Sequence, residues 1–156
     1  MPKTQVLIAV KTYPTLSQKY DELVCTAGFL PDGSWIRIYP IKFRSLDYTK
    51  QYKKYDWVEI DLVKNEGDMR RESYRPRTID EVPTILSSVD TKNNWAERKD
   101  LVLRNVYTNL DQLITESKQR PSPVSLAVFK PASVLKFECR PCEREWEPEK
   151  LAALQQ

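Results

Sequence analysis

Gly28–Arg44, GFLPDGSWIRIYPIKFR, is the stretch from which the fold is read. One apolar run, Leu23-Val24-Cys25-Thr26-Ala27-Gly28-Phe29-Leu30, leads into it, and a second, Trp35-Ile36-Arg37-Ile38-Tyr39, leads out. The link Pro31-Asp32-Gly33-Ser34 has turn chemistry: Pro31 fixes φ, Asp32 bonds nearby backbone and Gly33 accepts a positive φ. Together they predict a β-hairpin of the longer-loop kind. In the second strand Trp35, Arg37 and Tyr39 share one face, and Ile36 and Ile38 share the other. The isoleucines suit a core. The opposite face sets two aromatics around a guanidinium, and Lys42, Phe43 and Arg44 follow at once, a combination that stacks bases and holds phosphates. The same face also fits an ordinary strand in which Arg37 pairs with an acid on its neighbour. Pro40 is expected to stop the strand, because it cannot donate to a central ladder.

Upstream, Gln5–Val10 is a continuous apolar run, which predicts a strand buried on both faces or central in a barrel. It follows the first residues directly, so no leader is expected, and no apolar run approaches a membrane span. Thr15–Asp21 is expected to be a polar connection. Downstream, Arg44–Lys54 lacks a period and reads as a loop or one helical turn. Tyr55–Val63 alternates, with Trp57, Glu59 and Asp61 on one face and Val58, Ile60 and Leu62 on the other, which predicts a half-exposed strand. A short helix start is expected over Asp80–Ser88, with Asp80 as its N-cap. From Asn94 to Ser117, Trp95, Leu101, Val102, Val106, Leu110, Leu113 and Ile114 recur largely at helical spacing, with a break into two helices near Asn105–Thr108. Ser125–Phe129 and Ser133–Cys139 read as two last strands. The order of strands, helix, strands predicts a mainly β (α+β) fold, a small OB-like or PUA-like barrel with a helical insertion near 94–118. It would occupy residues 1–142 as one domain, leaving 143–156 as a polar tail.

The 156 residues carry 40 % hydrophobic and 30 % charged side chains, which are globular values. The net charge of +3 is mild, but it is unevenly spread. Between Arg37 and Lys54, Arg37, Lys42, Arg44, Lys50, Lys53 and Lys54 face a single acid, Asp47. A second basic cluster spans Arg70–Arg77. Such asymmetry favours one positive face. The candidate contact set is Lys11, Tyr13, Lys19, Tyr20, Trp35, Arg37, Tyr39, Lys42, Phe43, Arg44, Arg70, Arg75 and Arg77; its plain alternative is a basic surface with the aromatics packed inward.

There is no histidine. This removes the usual general base, metal ligand and triad partner, so Ser17 and Ser73 have nothing of that kind to activate them. Three cysteines, an odd and small number, fit a reducing cytoplasm. Cys139 and Cys142 form a lone CxxC, half of a zinc site, and Cys25 alone cannot complete four Cys/His ligands. Asp56, Glu59 and Asp61, with Lys64 nearby, are the candidates for a Mg²⁺-dependent nuclease; the plainer reading is a strand face ion-paired to the basic cluster. No cofactor is expected, and three glycines make no phosphate-cradling loop.

The run Lys11–Arg44, with VCTAG at 24–28 and GSWIRIYPIKFR at 33–44, resembles uncharacterised prokaryotic proteins found with defence and mobile-element genes. It is similar to the dual-OB-domain group at Cys25, Ala27, Gly28, Gly33, Trp35, Ile36 and Arg37. The YDW at 55–57, ESYRP at 72–76 and SLAVFKP at 125–131 resemble further parts of the first kind of protein. The resemblance implies an OB-like barrel, a role in handling foreign nucleic acid, and no established catalytic residue. The expected function is therefore a non-catalytic nucleic-acid-binding module, DNA or RNA, acting with other protein subunits of a larger cytoplasmic system. A protein-interaction subunit docking an acidic partner and the Mg²⁺ enzyme are the two alternatives.

Overall fold

The computed structural model describes residues 3–12, 15–17, 21–43 and 46–141. The first strands are β1 (Thr4–Lys11), β2 (Thr15–Ser17), β3 (Asp21–Phe29) and β4 (Trp35–Ile41). After a 3-10 turn at Tyr48–Lys50 come β5 (Asp56–Ile60), β6 (Leu62–Lys64), β7 (Ser73–Pro76) and β8 (Thr84–Ser88). Then follow α1 (Lys92–Val102), β9 (Val106–Tyr107), α2 (Leu110–Lys118) and β10 (Val128–Phe129). The protein is mainly β, a curled half-barrel sheet with two helices.

Strand order explains the curl. The path runs β6-β7-β4-β3-β1-β5-β8, with β2 beside β3. Only Asp61 separates β5 from β6, yet they stand five strand spacings apart on that path. In a flat sheet the gap would be about 24 Å at roughly 4.8 Å per strand, whereas one intervening residue spans about 7 Å. The sheet therefore bends until β6, at one end of the path, comes near the end of β5.

The hairpin forms as its residues require. β3 and β4 pair antiparallel with Phe29 opposite Trp35. Gly33 has φ 84°, and Asp32 Oδ1 accepts from Ser34 N at 2.9 Å and Ser34 Oγ at 2.6 Å. Pro40 does not stop the strand: β4 continues to Ile41. The pairs Thr26↔Ile38 and Val24↔Ile41 leave Tyr39 and Pro40 together opposite Cys25. Proline sits in a bulge, where the ladder does not need its missing N–H.

Both faces of the sheet are covered. Val6, Ile8, Ile36, Ile38, Val58 and Ile60 fill the inside of the curl, with Phe43 and Tyr52. Outside, Leu7, Phe29 and Val89 form a smaller cluster against Trp35, Trp57, Leu101, Val102 and Val128. β1 thus buries Val6 and Ile8 inward and Leu7 outward, as its unbroken apolar run predicts.

Several local expectations give way. Thr15–Ser17 pairs with β3 instead of forming a plain connection. Asp80–Ser88 forms no helix: Pro83 interrupts it, and Thr84–Ser88 lies along β5 with Ile85 opposite Val58. Asp80 caps nothing and instead pairs with Lys42. The long helical pattern does divide near 105–108, where β9 intervenes. Of the two last strands, only Val128–Phe129 is formed, parallel to β9. Ser133–Cys139 has no ladder partner among the described residues, and Leu135 and Phe137 are 94 % and 87 % exposed; strand propensity alone does not hold a strand. Among the described residues, no helix is long and apolar enough to cross a membrane.

Candidate nucleic-acid interface

The curl places the outer end of the hairpin opposite the segment that follows α1. Between them lies an open cleft of about 760 Å³. Trp35 lines it from the sheet, Arg71 from the turn before β7, and Arg104, Asn105, Tyr107 and Gln112 from the far wall.

Each principal side chain is held from behind. Trp35 leans on Phe29, with ring centroids 4.1 Å apart and planes at 37°. The Tyr107 hydroxyl donates to Glu116 Oε2 at 2.5 Å, and Gln112 Nε2 donates to Glu116 Oε1 at 2.9 Å. That bond, the largest influence, holds the Glu116 carboxyl below its usual range and pushes the Tyr107 phenol up. Arg104 donates from Nη1 to Pro31 O at 3.0 Å and from Nε to Asp100 O at 3.2 Å, with Asp100 Oδ2 at a looser 3.9 Å. These bonds tie the far wall to the hairpin turn. Arg71 is exposed, and its guanidinium has no carboxylate partner within ion-pair distance among the described residues; its backbone carbonyl is what binds, accepting from Lys64 Nζ.

A second tie closes the base of the site. Glu72 is buried, and its Oε1 accepts from Ser125 N at 2.9 Å and from Ser125 Oγ. Arg37 Nη2 donates to the same hydroxyl at 3.2 Å, and its Nη1 approaches Cys25 Sγ at 3.8 Å, while the buried Nε has no partner. Arg37 thus fastens the 125 segment to β4 and does not reach the cleft.

The other sequence candidates are spread out. Lys11 is half-buried, with Nζ 3.8 Å from the Phe43 centroid and 3.2 Å from Tyr52 O; burial, more than the nearby Lys54, lowers its pKa. Phe43 is core. Tyr39 is exposed at the bulge. Lys42 pairs with Asp80 at 3.0 Å, Arg70 with Asp68 at 2.6 Å and Arg77 with Asp61 at 2.7 Å. Arg75 is exposed and donates weakly to Pro76 O at 3.5 Å. Tyr13, Lys19, Tyr20, Arg44 and Cys142 lie outside the described residues. Trp35 alone among the described candidates lines the cleft. Arg71, Arg104 and Tyr107 are functional candidates that the sequence pattern does not single out. The one available signal was the second basic cluster, which contains Arg71.

Two of the three candidate carboxylates, Asp56 and Asp61, are engaged elsewhere. Asp56 is buried and accepts from Lys53 N at 2.7 Å and from Ser88 Oγ. Asp61 pairs with Arg77, the ion-paired arrangement that the plainer reading describes. Among the described residues, no three Cys, Asp or Glu side chains converge on a metal-sized point.

Fold and cleft together define a class: a small curled-sheet protein with an open cleft lined by Trp35, Tyr107, Arg71, Arg104 and Glu72. The chain belongs to the family described as "Domain of unknown function (DUF8758)", whose model matches residues 2–104. No curated protein and no solved structure matches. The matched region holds the whole sheet, α1 and the residues Trp35, Arg71 and Arg104; Tyr107 and Gln112 lie beyond it.

Proposed function

We propose that this chain is a non-catalytic nucleic-acid-binding module that works with other subunits of a prokaryotic defence or mobile-element system, and that the cleft is its contact surface. The observation that carries the reading is Arg71: an exposed guanidinium whose charge reaches Glu116 but which has no carboxylate within ion-pair distance among the described residues, lining a cleft walled by Trp35 and Tyr107. Aromatic faces stack bases, and fixed positive charge holds phosphates. The resemblance to the dual-OB-domain group supports the same reading and supplies its biological setting.

Fluorescence anisotropy with labelled single-stranded and double-stranded oligonucleotides tests it. Binding should appear at low salt, weaken as salt rises, and fall roughly tenfold in Arg71→Ala with no change in melting temperature. No binding at low salt, or a response indifferent to salt, overturns the proposal.

A second reading, a protein-interaction subunit, rests on a separate observation. All five residues of β8 are exposed, Ile85 and Leu86 among them, at an edge of the sheet. Open edges pair with partner strands. A stoichiometric partner that co-purifies with the wild type and is lost in Leu86→Lys supports that reading; retention of the partner counts against it.

A further inference from the structure

We infer that the cleft takes a short unstacked stretch of single-stranded nucleic acid, held by two phosphate contacts at Arg71 and Arg104, and that it does not track along a duplex. This rests on the nucleic-acid reading above and narrows it.

Three observations converge. The first is size. A volume of about 760 Å³ falls within the range of small-ligand sites, which run from about 300 to 1,000 Å³. A duplex is read instead by an element that enters a groove, and here the aromatic walls Trp35 and Tyr107 are recessed inside a cleft. A base reaches such walls only when it has left its stack.

The second is charge. Tracking a duplex takes a row of free cations. Three of the basic residues that would have formed one are paired locally, Lys42 with Asp80, Arg70 with Asp68 and Arg77 with Asp61, which leaves Arg75 as an exposed candidate bonded only to Pro76 O among the described residues. Drawing Arg70 onto a phosphate would take from the sheltered Asp68 carboxylate its side-chain guanidinium donors. Arg71 has no such partner among the described residues, and Arg104 is held mainly by carbonyl oxygens, which direct its guanidinium without cancelling its charge. Both arginines line the cleft.

The third is polarity. Asn105 and Gln112 add amide groups beside the two aromatics. An amide both donates and accepts, which suits the edge of an unpaired base. Gln112 already donates to Glu116, so an apolar ligand would leave the Asn105 amide and the Gln112 carbonyl oxygen unmatched. A purely anionic ligand would leave the aromatic walls unused.

The test is a salt series on the full chain with one fluorescein-labelled single strand, its duplex, and unlabelled di- and mononucleotide 5′-phosphates as competitors. Two phosphate contacts at about −0.7 each predict a slope of log K against log salt near −1.4 for the single strand. Arg71→Ala should bring the slope to about −0.7, and Arg71→Lys should restore it, because one cation is removed and then returned. The dinucleotide should compete, and the duplex should bind at least tenfold more weakly. Equal or tighter duplex binding, or a slope steeper than about −4 as a many-phosphate track would give, overturns this inference and leaves the binding-module reading intact. Absence of binding to both strand forms at low salt overturns the two together.

Discussion

Arg70 and Arg71 are adjacent in sequence and opposite in circumstance. Arg70 donates to both oxygens of Asp68, from Nε at 2.8 and 2.9 Å and from Nη2 at 2.6 Å, and Ser73 Oγ adds a third donor at 2.7 Å. Arg70's bonds, foremost, and that of Ser73 hold the Asp68 carboxyl far below the usual carboxylate range, against burial, which raises it. A depressed folded-state pKa stabilises the protein fully above the unfolded value, near 3.9, and the contribution is lost as pH falls through the folded value. Asp68→Asn should therefore lower the melting temperature at neutral pH. The gap to wild type should shrink as the pH drops below about 4, and thermal melts across an acid series check this. The turn that Asp68 organises sends Arg71 to the cleft, a division invisible in a run of basic letters. Inside the curl, Thr26 Oγ1 and Tyr52 Oη lie 2.6 Å apart and buried, and burial pushes the Tyr52 phenol up. Tyr52→Phe should cost about 1–3 kcal/mol by leaving the Thr26 hydroxyl unpaired. Adding Thr26→Val should recover part of that loss, because both partners are then apolar; urea titration of the single and double variants measures the coupling.

At the scale of elements, what was legible is what local chemistry determines. The Pro31–Ser34 turn, the alternation of β4 and the split of the helical stretch all follow from spacing and turn residues. β8 did not, because Asp80 before an apolar run resembles a helix start, while the exposed edge of β5 is offered only by the folded sheet. Ser133–Cys139 failed the other way: it has strand composition and, among the described residues, no strand to join. Gly28 shows how closely the central elements meet. A Cβ built on it would lie 1.9 Å from Leu7 O, a backbone atom that cannot swing aside. Gly28→Ala should force β1 and β3 apart at the Ile8↔Gly28 pair and cost at least about 1–3 kcal/mol. Denaturant midpoints provide the check, and a neutral result would mean that the two strands approach less closely than the structure has them.

At the scale of the whole molecule, the cleft is an assembly of distant parts. Trp35, Arg71 and the pair Arg104 and Tyr107 come from three separate stretches of chain, and no periodicity joins them. The sheet's curl supplies one wall, and three polar ties hold the other in place: Arg104 to Pro31 O, Ser125 to Glu72, and Arg37 to Ser125. Arg37 was therefore conspicuous in the sequence for a reason other than the one its neighbours imply. A guanidinium between two aromatics on a strand can serve a ligand or the chain itself, and only the position of Ser125 distinguishes the two. This separates two kinds of loss. Ser125→Ala removes an acceptor from Arg37 and a donor from the buried Glu72 carboxylate, so stability should fall by about 1–3 kcal/mol and oligonucleotide affinity should fall with it as the far wall loosens. Arg71→Ala removes an exposed side chain and should change stability by no more than about 0.5 kcal/mol while weakening binding directly. Urea unfolding and anisotropy on both variants place each residue. If Ser125→Ala proved as stable as the wild type, the tie would hold nothing, and Arg37 would return to the set of residues available to a phosphate.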